Sequence, residues 1–253
     1  MSPATRPSPN LPRTEDLPRP ATRAFRVVRP GVAAAARAWY DVEVLDQSQL
    51  PTAGPVVLAA NHVGVLDGPL LAAVTRRSSY ALVKKEMYGG FVGWLLTQFG
   101  QIAVDRHAVD PTAIRRSIRV LRDGGVLVVF PEGMRSSGEV RWARPGAVYL
   151  AMVTGAPIVP VALLGTREPG ASTGQLPPRG STVRVVYGEP LAVPQLPWPR
   201  PKALVAEHTE RLRRRLADHV VEAQRRTGLT LPGPPAPSAG ARPSSRAGRS
   251  RST

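Results

Sequence analysis

Gly124-Gly125-Val126-Leu127-Val128-Val129-Phe130-Pro131-Glu132-Gly133-Met134-Arg135-Ser136 decides the fold. Two glycines stop the preceding element, and four consecutive apolar residues then run without a polar break, the pattern of a strand buried on both faces. Pro131 and Gly133 turn the chain, and that turn carries a carboxylate and a guanidinium. Immediately upstream, Asp110-Pro111 reads as a helix start, with Asp as N-cap and Pro at the first helical position. Ala113, Ile114, Ile118 and Leu121 then fall on one face of a helix that Gly124-Gly125 ends. A helix thus feeds a buried strand that ends in charged groups.

The same ending occurs earlier, where Val56-Val57-Leu58-Ala59-Ala60 runs into Asn61-His62-Val63-Gly64-Val65-Leu66-Asp67. In open α/β sheets, ligands bind in the crevice outside the carboxyl ends of the strands, so two such endings point at one site. Working outward, 42–44 alternates like an exposed strand, 67–75 suits a short helix, and 80–83 a strand leading into Lys84-Lys85-Glu86. Residues 183–187 read as a late strand with an edge position open to it, and 202–226 as the longest helix. Val205, Leu212, Leu216 and Val220 lie on one face of that helix and six arginines elsewhere. Residues 25–40 form an amphipathic segment that Pro30-Gly31 splits, so that the helix proper begins there. This strand–helix–strand rhythm predicts an α/β fold, a single domain over 23–230 with a mostly parallel sheet flanked by helices.

Composition sets further bounds. Of 253 residues, 42% are hydrophobic, enough for a sizeable core, and the formal charge of +16 favours anionic partners such as phosphate groups or membrane surfaces. The absence of cysteine excludes disulfides, thiol catalysis and Cys-based metal sites. Residues 1–22 are mostly Pro, Ser, Thr and Arg and are expected to be disordered, with no secretory signal in the first twenty. Residues 231–253 read as a disordered basic tail with four arginines and no acid, suited to anionic lipid at about 1 kcal/mol per basic residue. The uncharged stretch 145–166 is long enough to span a bilayer, but Gly155-Ala156-Pro157 interrupts it. A helix over 146–154 and a buried strand over 158–164 explain it better.

The chemistry rests on a few side chains. Five residues apart on a regular helix, His62 and Asp67 would point roughly 140° away from each other. They pair if His62 sits on the strand-to-helix turn and Asp67 in the first helical turn. A carboxylate on one imidazole nitrogen fixes the tautomer and leaves the other free as a general base. Arg135 offers a planar fork for phosphate. Gly100-Gln101-Ile102-Ala103-Val104-Asp105-Arg106 ends another apolar stretch in an Asp-Arg pair, and Ile158-Val159-Pro160-Val161-Ala162 is an apolar strand that can wall a pocket.

In this order, the four blocks resemble the glycerolipid acyltransferase family that includes the 1-acylglycerol-3-phosphate acyltransferases. That family carries Asn-His, four residues and Asp, then Gly-x-Ile-x-x-x-Arg, Phe-Pro-Glu-Gly-x-Arg-Ser and a Val-Pro-Val-type strand. The likeness covers about 61–162. It implies transfer of a fatty acyl group from acyl-CoA or acyl-carrier protein, as co-substrate, to a lysophospholipid hydroxyl, with lysophosphatidic acid as the leading acceptor. It further implies His62 as base, Asp67 as its partner, and Arg106, Glu132, Gly133 and Arg135 as holders of the acceptor's phosphate and glycerol, with Lys84 as a further phosphate contact. No metal or bound cofactor is expected. Gly64 stands where the family commonly has Ser and Met134 where it commonly has Thr, so a different lyso-lipid or an amino-acid-based lipid stays open as acceptor.

Other readings carry less. Gly170-Ala171-Ser172-Thr173-Gly174 matches a nucleophile elbow, but prolines and charged residues around it indicate a loop. A metal site from His62, Asp67 and Glu132 is poor, since His107, His208 and His219 lack the four-residue helical spacing. Nucleic-acid binding would rest on charge alone, with only 5% aromatic residues and no stacking array. A lipid-binding protein without catalysis is a further alternative. The expected partners are lysophospholipid, acyl donor and an anionic membrane surface. The expected location is the cytoplasmic side of a membrane, with the protein held peripherally by basic charge and apolar surface around 91–96.

Overall fold

In the computed structural model, residues 12–17, 22–105 and 110–236 are described. Six helices and seven strands follow in chain order: α1 Thr22–Trp39, β1 Asp41–Leu45, β2 Val56–Ala60, α2 Asp67–Val74, β3 Ser79–Lys84, α3 Gly90–Gln98, β4 Ile102–Val104, α4 Pro111–Arg122, β5 Val126–Val129, α5 Gly146–Thr154, β6 Ile158–Leu164, β7 Thr182–Tyr187 and α6 Lys202–Thr227. The strands form one sheet in the order β1-β7-β6-β2-β5-β3-β4. Every pairing is parallel except β6 with β7.

The continuous apolar runs make β2, β5 and β6 the centre. All residues of these three strands are buried, as expected where helices cover both faces of a parallel sheet. The two-residue alternation then sorts them. Val57 and Ala59 face α4 and α5, packing with Ile118, Leu121, Val148 and Met152. Val56, Leu58 and Ala60 face the other way, with Leu70 and Leu71 of α2. Ala162 and Leu164 of β6 and Val186 of β7 meet Leu216, Val220 and Ala223 on the buried face of α6. Each fully buried Leu or Val side chain stabilises by about 1.5–3 kcal/mol before entropy is counted.

Local signals act as read at α4. Asp110 Oδ1 accepts the Ala113 N–H at 3.0 Å, with Pro111 opening the helix. The 145–166 stretch divides into α5 and β6 around Gly155, whose φ of +72° ends the helix. Two expectations need correction. β7 is not an edge strand but lies between β1 and β6, antiparallel to β6, with Val183 and Val185 buried. Nor does Pro30 split α1, which runs through it from Thr22 to Trp39. The lost hydrogen bond is offset by tertiary contacts: Ala33 is buried, Ala36 packs on the core, and the Arg29 guanidinium donates to the Thr75 carbonyl at the end of α2.

The described parts of the termini are packed. Arg122 donates to Pro12 O and Thr14 Oγ1, both at 3.0 Å, and Arg119 to Thr14 O at 3.0 Å. At the other end, Leu231 packs against the α6 cluster and Gly233 O accepts from Arg167 at 2.6 Å. The rest of the two expected tails, 1–11, 18–21 and 237–253, lies outside the described residues.

Candidate active site

β2 lies between β5 and β6, so its carboxyl end opens where the strand order diverges, the usual crevice of such sheets. Asn61 fixes the turn there. Its side chain donates to Leu163 O (3.0 Å) and accepts the Leu163 N–H (2.7 Å), so it imitates one more residue of strand pairing with β6. His62 is then stitched to the loop after β5: its N–H donates to Glu132 Oε1 (3.0 Å) and its carbonyl accepts the Ser136 N–H (2.7 Å).

Asp67, fully buried at the start of α2, faces back into this turn. Its Oδ2 accepts the N–H groups of Val63 (2.7 Å) and Gly64 (2.9 Å) and lies 2.7 Å from His62 Nδ1. Its Oδ1 accepts the Thr166 hydroxyl at 2.5 Å. Donors converging on both oxygens define a carboxylate, so the shared proton is assigned to His62 Nδ1 and the lone pair to Nε2. Phe130 stacks on the imidazole, 4.1 Å between centroids with planes 20° apart. The ring is thus clamped by a carboxylate at one edge and an aromatic face, and it reaches a cavity wall.

Glu132 lies behind that wall. It is 1% exposed, with Oε1 taken by the His62 N–H and Oε2 by the Ser136 hydroxyl. Burial pushes its carboxyl above the ordinary range, while these two donors and the nearby imidazole pull it back. In this geometry Glu132 ties the two site loops together and does not face the cavity. Gly133 does line it, at φ +72°, where a Cβ would stand 2.5 Å from Arg144 Nε.

The cavity holds about 680 Å³. Its lining includes the apolar Ala72, Val83, Val92, Leu95, Leu96 and Phe99 as well as Arg29, Arg135 and Arg144. Burial draws the Arg135 guanidinium below its usual value against the opposing pull of Asp67, and its Nε has no hydrogen-bond partner.

The expected residues are therefore brought together unequally. His62, Gly133 and Arg135 line the cavity, while Asp67 and Glu132 support it from behind. Lys84 does not line it; its ammonium lies 3.8 Å from Glu86, with the side chain 41% exposed. Arg106 lies outside the described residues. Sequence reasoning missed Arg29, which reaches the wall from an N-terminal helix, Arg144, which lies in the loop just after the Phe130–Ser136 block, and Thr166, an ordinary residue two positions past β6. The Gly170–Gly174 stretch is loop, as expected. Among the described residues, no cluster of three His, Asp or Glu is placed to hold a metal ion, and no helix is long and apolar enough to cross a membrane.

A mostly parallel α/β sheet with a His–Asp pair beyond the carboxyl end of a central strand has its ligand crevice at that point, and comparison with known proteins narrows the class. The profile of the Acyltransferase family matches residues 41–164, which include β1 to β6 and both site loops. A 1-acyl-sn-glycerol-3-phosphate acyltransferase of Bacillus subtilis is 29% identical over 179 residues, 70% of this chain and 87% of that protein. Its counterpart from Borreliella burgdorferi is 30% identical, covering 49% of this chain and 52% of the relative. A chloroplastic one from Brassica napus is 30% identical over 60% of this chain and 46% of its own. The chain thus spans most of the Bacillus relative and about half the length of the other two. The crystal structure of the 1-acyl-sn-glycerophosphate acyltransferase PlsC from Thermotoga maritima shares the fold, with a TM-score of 0.60 at 22% identity over 82% of this chain and 84% of that one. These matches place residues 41–164 in the Acyltransferase family and support an O-acyltransferase.

Proposed function

We propose that the protein moves a fatty acyl group from a thioester donor, acyl-CoA or acyl-carrier protein, to the free hydroxyl of a lysophospholipid, with lysophosphatidic acid giving phosphatidic acid as the preferred reaction. One observation carries the reading: His62, oriented by Asp67 at 2.7 Å, reaches a largely apolar cavity whose lining also includes Arg135 and Arg144. An acyl chain suits the apolar lining and a phosphate the guanidinium groups. The relatives of known name support this choice of acceptor.

In this mechanism the imidazole Nε2 removes the proton from the acceptor hydroxyl as the oxygen attacks the thioester carbonyl. Asp67 stabilises the imidazolium that forms. Collapse of the tetrahedral intermediate breaks the C–S bond, and the imidazolium proton goes to the departing thiolate, leaving an ester and a free thiol. Arg135, with Arg144, holds the acceptor phosphate. The route needs no metal, no resident cofactor and no covalent enzyme intermediate.

The lipid substrate requires a membrane surface, and we assign the protein a peripheral position on its cytoplasmic side. On α3, Phe91 is 74% exposed and Trp94 56%, while Val92, Leu95 and Leu96 of the same helix line the cavity. Such a helix can dip its apolar side chains into the headgroup boundary with the cavity beside it. Following thiol release from acyl-CoA across a panel of lyso-lipids tests the reaction. Thiol released stoichiometrically with a diacyl product, fastest with lysophosphatidic acid, supports the reading. Thiol release without any acylated acceptor makes it a hydrolase, and no turnover with any donor or acceptor leaves lipid binding alone.

A further inference from the structure

Thr166 is fully buried beyond the end of β6 and does not line the cavity. Its hydroxyl donates at 2.5 Å to Oδ1 of Asp67, the one carboxylate oxygen that His62 and the two turn amides leave unused. That approach depends on a missing side chain. A Cβ at Gly64 would stand 2.8 Å from Thr166 O and 3.3 Å from Arg167 Cβ, inside the range where backbone must shift. Arg167 next to it is itself pinned, donating to Ala171 O (2.8 Å), Ser136 O (3.1 Å) and Gly233 O (2.6 Å). The segment carrying Thr166 is therefore held against the dyad from behind, through the space Gly64 leaves.

We propose that Thr166 is a positioning residue for acyl transfer: its hydroxyl fixes the Asp67 carboxylate so that Oδ2 stays on His62 Nδ1, and Gly64 is the opening that lets it reach. The inference rests on the His62–Asp67 reading above. A buried carboxylate with an orphaned oxygen rotates toward whatever donors remain. Here these are the Val63 and Gly64 amides on the other oxygen, and rotation toward them draws the carboxylate off the imidazole. The base then loses its fixed tautomer while the cavity wall, and with it substrate binding, stays as it was.

The test compares wild type with Thr166→Val, which removes the hydroxyl and keeps the branched shape, with Thr166→Ser, and with Gly64→Ala. Ser117→Ala serves as control, since it deletes a buried hydroxyl on α4, away from the cavity. His62→Ala is run in parallel. The loss of one hydrogen bond to a charged group predicts kcat lower by about 10–100-fold for Thr166→Val with KM unchanged within about twofold. Serine restores kcat, Gly64→Ala lowers it in the same pattern, and the control leaves it alone. In histidine-labelled protein, the downfield Nδ1–H resonance of His62 is present in wild type and Thr166→Ser and lost or shifted in Thr166→Val. Should Thr166→Val fail to fold, Thr166→Ala carries the same two readouts. Wild-type kcat and an unmoved resonance in a folded Thr166→Val, with His62→Ala inactive, overturn the role of Thr166 alone. A fully active His62→Ala overturns the dyad itself.

Discussion

Replacing Asp67 by Asn keeps the shape of the site and removes its charge. The amide oxygen can still accept the Val63 and Gly64 N–H groups that now reach Oδ2 at 2.7 and 2.9 Å, and its NH2 can donate to the Thr166 hydroxyl, which rotates to accept. What disappears is a full negative charge 2.7 Å from His62 Nδ1, in a residue with no solvent exposure. At an effective dielectric constant of about 20, that charge and an imidazolium attract by roughly 6 kcal/mol, an upper bound on the effect. The amide dipole returns part of this, and breaking a buried pair typically costs about 3–5 kcal/mol. The transition state, where the imidazolium exists, bears this loss, whereas the ground state with neutral His62 does not. The account therefore predicts kcat lower by about 10²–10⁴ with KM little changed. Initial rates of labelled phosphatidic acid formation at saturating donor measure it, with circular dichroism and Tm confirming the fold. Activity within about threefold of wild type would refute the base–carboxylate reasoning, because Asp67 is the carboxylate bonded to His62 Nδ1.

Three further outcomes follow from the same structure. Arg135→Met should raise KM for lysophosphatidic acid by about 10–100-fold with kcat nearly constant, since a charge-assisted phosphate contact is lost while the base is untouched; steady-state kinetics against a lyso-lipid lacking a phosphate monoester provides the contrast. Burial raises the folded-state value of Glu132, so its stabilising contribution is greatest when protonated and is lost as pH rises through that raised value. The Tm of wild type relative to Glu132→Gln should therefore be higher near about pH 4 than near about pH 7, by thermal melts at both. Phe91→Asp with Trp94→Asp should weaken co-sedimentation with anionic vesicles by about tenfold or more at low salt without changing Tm, because both side chains already face solvent.

Much of the fold was legible because its signals are local. The Asp110-Pro111 start, the Gly124 stop and the Gly155 break set the ends of α4 and α5 through capping and left-handed backbone, independent of distant partners. Uninterrupted apolar runs marked β2, β5 and β6 as central. The place of β7 was not legible, because insertion between β1 and β6 depends on pairing partners more than 15 residues away, and Val183 to Tyr187 reads the same at an edge. Pro30 misled for a related reason: helix propensity is local, but the contacts of Arg29, Ala33 and Ala36 that carry α1 through it are tertiary.

The site divides along the same line. His62 and Asp67 announced themselves because their pairing needs only a strand end and one helical turn. The supporting shell did not, since Asn61 with Leu163 and Thr166 with Asp67 join residues about a hundred positions apart through side chains that carry no charge pattern. Lys84 looked like a phosphate contact because it ends a strand, yet that cation sits outside the cavity beside Glu86. Arg29 and Arg144, hidden among many arginines, supply wall positions instead.

The most direct measurement of the central claim is conversion of lysophosphatidic acid and radiolabelled acyl-CoA to phosphatidic acid by purified wild type and His62→Ala. The account predicts labelled phosphatidic acid from wild type and a rate at least about 10²–10⁴-fold lower from a folded His62→Ala. Equal product from both proteins would contradict the claim that His62 is the base.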